Sequence, residues 1–107
     1  MKPRGEGMIV PMLSIAAKKS FPMSSGYVAS KWAAYGMIQC VAKEVRKDGI
    51  RISSIFPGSV ATPFWDGMGG APWDTADMLQ PDDVALAVLQ VVNAPETCVI
   101  DELLVMP

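Results

Sequence analysis

No histidine occurs anywhere in this chain. That removes several kinds of chemistry at once: a Ser-His-Asp triad, a Cys-His pair and any histidine-ligated metal site. Cysteine is nearly as scarce. Cys40 and Cys98 fall in what reads as a helix and a strand, without metal-ligand spacing, as expected of reduced thiols in a cytoplasmic protein. No apolar run approaches the ~20 residues of a membrane-spanning helix. The opening "MKPRGEGMIVPML" is too short and too interrupted for a signal peptide.

Basic residues are missing from half the sequence. Residues 1 to 53 hold all nine Lys and Arg against Glu6, Glu44 and Asp48, a net of +6, whereas residues 54 to 107 hold eight acids and no base, a net of −8. The basic residues show no aromatic interleaving, and Lys43, Arg46 and Lys47 suit the negative end of a helix, so no nucleic-acid surface is expected. The imbalance suggests two halves that attract one another, within the fold or across an oligomer. What remains is a foldable chain. Of its 107 residues, 50% are hydrophobic and 19% charged, enough for one small domain that buries roughly 65% of its unfolded surface.

Along the chain, "MIVPML" (8 to 13) reads as a short buried strand. Pro11 cannot donate to a ladder, so an edge, a bulge or a local distortion is expected there. A loop of small and polar residues follows. From Ser25 to Asp48 the pattern turns helical, with Ser24 or Ser25 as cap and Gly49 as terminator. Val28, Ala29, Trp32, Ala33, Met37, Val41 and Val45 spread over most of its circumference, so this helix should be covered on more than one side. "RISSIF" (51 to 56) is a second strand ended by "PG", and residues 59 to 80 form a long loop containing a short helix. Pro81 opens a second helix with Asp82 and Asp83 in its first turn, and "TCVIDELLV" (97 to 105) closes as a third strand. Strand, helix, strand, helix, strand argues for an α/β fold with a three-stranded parallel sheet and right-handed crossovers.

In open parallel sheets, sites gather at the carboxyl ends of the strands. Ser14 stands at that end of the first strand, 13 residues before Tyr27. Tyr27 and Lys31, in "GYVASK", lie one turn apart on one helix face. Pro57 and Gly58 end the second strand on the same sheet edge, with Thr62 soon after. Taken singly, these would be a loop hydroxyl, a half-buried aromatic, a solvated charge and a helix cap. Their joint spacing is the informative feature.

Here the sequence resembles the short-chain dehydrogenase/reductase family, through "GMIVPMLS", "SSGYVASKWAAYGM", "DGIRISSIFPGSVATPF" and "VIDELLVMP". The resemblance implies a partial Rossmann-like, doubly wound fold and NAD(P)(H)-dependent oxidoreduction of a small-molecule carbonyl or alcohol. It implies Tyr27 as the general acid/base, a role for which a free phenol, titrating near pH ~10, needs help. Lys31 would supply that help as a nearby positive charge and would bond the nicotinamide ribose; Ser14 would hold the reacting oxygen. Pro57, Gly58, Val60 and Thr62 would lie against the cofactor, Gly58 allowing close backbone approach and Thr62 bonding the carboxamide or phosphates. Hydride transfer itself belongs to the cofactor.

The family's opening strand, Gly-rich turn and helix, which hold the pyrophosphate, have no counterpart here. "DGMGGAP" follows no strand and opens no helix. The ribose-reading residue and the asparagine of the preceding helix are also absent, and residues 1 to 7 resemble that helix's tail. The expectation is a single domain, residues 1–107, equivalent to the C-terminal half of the family's domain and starting at an internal methionine. Asparagine is usual near Pro11 and a second serine at Leu13, so Pro11 puts the presentation of Ser14 in question. The first strand, central in a full sheet, would be an exposed edge. A homo-oligomer is therefore expected, through that edge or through the helix at 26–47. Two readings follow: the catalytic half of a dehydrogenase or reductase, inactive as an isolated chain, or a non-catalytic remnant that acts as an oligomerising module. "TPFWDGMGGAPW" lies where the family places its substrate loop; Phe64, Trp65 and Trp73 suit either an apolar pocket wall or surface anchors.

Overall fold

The computed structural model describes all 107 residues. A 3-10 turn at Lys2–Arg4 leads into strand β1 (Gly7–Ile9), and a second 3-10 turn, Ile15–Ala17, precedes helix α1 (Ser25–Val45). Strands β2 (Ile50–Ile52) and β3 (Ser54–Pro57) follow one another with only Ser53 between them. Two 3-10 segments, Pro63–Met68 and Thr75–Asp77, occupy the long loop before helix α2 (Pro81–Val92) and strand β4 (Glu102–Val105).

Local chemistry explains the boundaries. A 3-10 turn, Arg46–Asp48, extends α1 until Gly49 ends it at φ 71°, in the left-handed region that glycine enters without penalty. A Cβ on Gly49 would overlap the Gly5 carbonyl oxygen, so the position is closed sterically as well. At α2, Pro81 takes the first turn, and the Asp83 carboxylate accepts from the Gln80 N–H at 2.7 Å, satisfying a donor the helix leaves open. Ser24 holds the N-cap position of α1 but makes no side-chain cap bond.

The expected three-stranded sheet is replaced by two two-stranded parallel sheets, β1–β2 and β3–β4. Pro11 is one physical reason: without an N–H it drops out of the ladder, and β1 ends at Ile9 rather than reaching Leu13. Pairing resumes beyond it, where Ile55 N–H donates to the Pro11 carbonyl at 3.0 Å and Leu13 N–H to the Ile55 carbonyl at 2.9 Å. The last strand is also shorter than expected, since residues 97–101 are irregular.

Core packing comes in two small clusters. Leu13, Ala17 and Phe56 meet under Ala34 and Tyr35 of α1, while Val45, Ile50 and Ile52 meet under Ile38, Val41 and Ala42. Only 17 of 107 residues are buried, and the Cα radius of gyration, 15.4 Å, exceeds the ~13 Å of a globular domain near this size. Apolar surface consequently stays outside. Val45 is the only buried residue of α1, and Trp32 and Met37 are 50% and 60% exposed. β1 and β4 each pair along one edge only. One of three ion pairs, Lys18–Glu102, joins the basic half to the acidic half; Lys2–Asp48 and Arg4–Glu6 lie within the basic half.

Candidate active site

Beyond Pro11 the restored pairing at Leu13 delivers Ser14 to the sheet edge in extended conformation, almost fully buried. Its Oγ accepts the Ala16 N–H at 3.1 Å and so caps the 3-10 turn. That bond uses one lone pair and leaves the hydroxyl proton free to donate. The distortion anticipated at Pro11 is thus absorbed before Ser14.

Tyr27, in the first turn of α1, reaches the same place, with its ring 5.6 Å from that of Phe64. Lys31, one turn on, does not face the cavity. Its Nζ donates to the Leu13 carbonyl at 3.4 Å and stands 5.7 Å from the Tyr27 ring centre. It therefore ties α1 to the strand end that carries Ser14.

The third contributor is the turn after β3. Gly58 N–H donates to the Val105 carbonyl at 2.8 Å, Leu79 N–H to the Ser59 carbonyl at 3.0 Å and Ala61 N–H to the Leu79 carbonyl at 2.9 Å. The N–H groups of Val60 and Thr62 make no hydrogen bond within the chain. A Cβ on Gly58 would come 3.3 Å from Met106 Sδ and 3.1 Å from Pro107 Cδ, so those side chains would have to shift slightly to admit a larger residue there. Thr62 occupies the N-cap of Pro63–Met68, yet its hydroxyl is directed to the Val60 carbonyl at 3.5 Å instead of capping.

Together these segments border an open cavity of about 620 Å³ lined by Ser14, Tyr27, Pro57, Gly58, Val60 and Thr62. Of the residues singled out from the sequence, Lys31 alone is off the wall. Phe64, Trp65 and Trp73 line it as well, and Trp65 is held by its Nε1–H donating to the Val60 carbonyl at 2.8 Å.

Behind the site lies a network that sequence reasoning missed. Lys18 Nζ donates to Glu102 Oε2 at 2.6 Å and to Tyr35 Oη at 3.3 Å, and sits 4.4 Å from the Phe56 ring centre. Tyr35 donates to the other Glu102 oxygen and accepts from Gln39 Nε2 at 2.6 Å. The bond to Glu102 pushes Lys18 above its ordinary pKa, against a smaller desolvation penalty. The bond from Lys18, then that from Tyr35, holds Glu102 below the usual carboxylate range. Residues 17 and 84 positions apart leave no periodic trace in a sequence.

A hydroxyl and a phenol thus border one cavity at the carboxyl ends of the strands, with an ammonium tied behind them. Comparison with known proteins places the chain: the short chain dehydrogenase family profile matches residues 1–70, and the chain belongs to that family. It is 33% identical over 107 residues to sepiapterin reductase of Chlorobaculum tepidum, covering all of this chain and 43% of that protein. It is 36% identical over 80 residues to 3-alpha-(or 20-beta)-hydroxysteroid dehydrogenase of Mycobacterium bovis, 75% of this chain and 28% of that one. Among solved structures, serine dehydrogenase in its closed form with NADP+ aligns over 100% of this chain and 46% of its own, with a TM-score of 0.86 at 25% identity. The alcohol dehydrogenase of Thermococcus sibiricus, complexed with 5-hydroxy-NADP, aligns at TM-score 0.79 and 26% identity over 98% and 43%. The chain thus spans less than half the length of these relatives. No helix of the structure is long and apolar enough to cross a membrane.

Proposed function

We propose that this chain provides the proton-transfer half of an NAD(P)(H)-dependent interconversion of a carbonyl and an alcohol. The observation that carries the reading is convergence: Ser14, Tyr27 and the Pro57–Thr62 turn border one cavity, with Lys31 bridging behind. In reduction, Tyr27 Oη gives its proton to the carbonyl oxygen; in oxidation it takes the proton from the hydroxyl. Ser14 donates its free O–H to the same oxygen and orients it, its lone pair being engaged by Ala16. Lys31 keeps a positive charge beside the phenol and anchors it through Leu13.

The residues present fit the nicotinamide end of the cofactor. The open N–H groups of Val60 and Thr62 on the cavity wall match the needs of a carboxamide, and Pro57, Gly58 and Tyr27 share that wall; Lys31 lies off it and would have to turn from the Leu13 carbonyl to bond the ribose. When bound, the cofactor supplies the hydride. Its pyrophosphate end finds no Gly-rich turn among these 107 residues, and in this reading the chain corresponds to the C-terminal half of the family's domain. Another polypeptide segment must hold that end. Binding of NADP+ by serine dehydrogenase and of 5-hydroxy-NADP by the alcohol dehydrogenase supports the cofactor class.

A second reading is favoured by a different observation. The exposed Trp32 and Met37 of α1, the exposed Leu86 and Leu89 of α2 and the single-sided β1 suit a module that assembles through these faces and does no chemistry. Titration of the purified chain with NADPH and NADH, followed by tryptophan fluorescence, tests the first. Saturation at micromolar cofactor supports the catalytic reading with a rebuilt dinucleotide site; no response at millimolar cofactor means that Tyr27 and Lys31 have no hydride donor to serve in the chain by itself. In an assembly that turns over, Tyr27→Phe should abolish activity, and surviving activity would refute the site. Sedimentation tests the association itself, which a monodisperse monomer would exclude.

A further inference from the structure

The cavity wall carries no Asp, Glu, Lys or Arg, although the chain has 20 of them. Lys31, the nearest base to Tyr27 on α1, is turned to the Leu13 carbonyl and does not line the cavity; Asp66, on the 3-10 helix that supplies part of the wall, does not line it either. Resting on the carbonyl–alcohol reading above, we infer that the substrate is a neutral, ring-bearing ketone or secondary alcohol. A carboxylate or phosphate entering here would lose water and find no opposite charge on the wall, since the one ammonium near Tyr27, that of Lys31, is committed to the Leu13 carbonyl behind it.

The aromatic wall points the same way. Phe64 lies 5.6 Å from Tyr27 and 5.2 Å edge-to-face from Trp65, so flat apolar faces begin beside the phenol itself. The single polar atom of Trp65 is engaged by the Val60 carbonyl, which leaves its ring for apolar contact. Phe64, Met68 and Trp73 are 46%, 52% and 52% exposed, so they are not anchors buried in a core; they are apolar surface facing an open cavity. At about 620 Å³ the cavity falls within the ~300–1,000 Å³ of small-molecule sites. The nicotinamide end shares this space on the Val60 and Thr62 side, and the Phe64, Trp65, Met68 and Trp73 side is left for a ring system; a small acid would cover it poorly.

The test uses two ketones that share the reacting group and differ in charge and bulk: 2-decalone, neutral and bicyclic, and acetoacetate, small and anionic. Trp32 lies off the cavity wall, so the Trp32→Phe chain retains only the two wall tryptophans as reporters. Saturable quenching by 2-decalone, with a Kd at least tenfold below that of acetoacetate, is the expected result. Met68→Asp, at a half-exposed position that tolerates a charge, should weaken 2-decalone at least fivefold while the circular dichroism stays unchanged. Equal or tighter binding of acetoacetate, or quenching by 2-decalone that rises linearly without saturating, overturns the assignment. Turnover is read separately in the presence of NADPH. Reduction of acetoacetate without 2-decalone binding refutes the substrate class and leaves the reaction standing. Saturable 2-decalone binding that Tyr27→Phe preserves, with no reduction by the unaltered assembly, supports the neutral apolar cavity and refutes the reaction.

Discussion

Lys18 leaves the 3-10 turn that Ser14 caps, and its ammonium lands on Glu102 of β4, 2.6 Å away, over the faces of Phe56 and Tyr35. Removing it should therefore loosen the segment that presents Ser14 as well as lower stability. The side chains of Lys18 and Glu102 are 25% and 34% exposed, so solvent screens the pair and its coupling should be about 0.5–1 kcal/mol. The contact with the two rings adds about 0.5–1 kcal/mol that only Lys18 provides. Glu102→Gln should then cost about 0.5–1 kcal/mol, Lys18→Met about 1–2 kcal/mol, and the double variant less than their sum. For a domain near 100 residues, 1 kcal/mol lowers Tm by about 4–8 °C, readily seen by circular dichroism.

The pH dependence of that cycle is fixed in sign. Glu102 is held below its ordinary value, so its contribution is present above the usual carboxylate range and disappears as pH falls through the lowered pKa. Lys18 is raised, so its contribution is present below the usual lysine range and disappears only as pH rises through the raised pKa. The coupling should be level between the usual carboxylate and lysine ranges, and be lost on acidification only as pH falls below the usual carboxylate range. A coupling indistinguishable from zero at neutral pH and low salt, or one that grew on acidification, would refute the role assigned to the pair.

Other expectations are simpler. Ser53 is fully buried between β2 and β3 with an Oγ that has no partner, so Ser53→Ala should be neutral or stabilising by up to about 1 kcal/mol; a clear loss of Tm would mean the hydroxyl is bonded after all. Gly49→Ala must hold φ near 71° and displace the Gly5 carbonyl, so a cost above about 2 kcal/mol is expected in thermal melts, and a silent substitution would show that the turn re-forms differently. Lys31→Met should lower turnover of an active assembly at least tenfold with little change in Tm, because its one protein bond, to Leu13, is long; an equal loss of stability would make its role structural. Trp65→Phe removes the bond to Val60 and should weaken NADPH binding more than it lowers Tm, measured on the same sample by fluorescence titration and by melting.

Much of this molecule is legible one element at a time, because the forces involved are local. The 3.6-residue period put Tyr27 and Lys31 one turn apart, Gly49 and Pro81 marked helix boundaries through their own backbone limits, and Pro57–Gly58 closed the inner strand. The absence of histidine removes rival chemistries by composition alone. Other features depend on which distant segments meet, and no short-range pattern records that. The single sheet became two because Pro11 removed a donor and pairing passed from β1–β2 to β3–β4 across Ser53. Lys18 found Glu102 across 84 residues, and Met106 and Pro107 came to rest against Gly58. Phe64, Trp65 and Trp73 fitted two roles in the sequence; their places on an uncharged wall beside Tyr27 were settled only when α1, the turn after β3 and the long loop closed around one space. Backbone sterics and hydrogen-bond geometry act within a few residues and leave a mark in the sequence, whereas the enclosure of a cavity depends on side chains brought together by the whole fold.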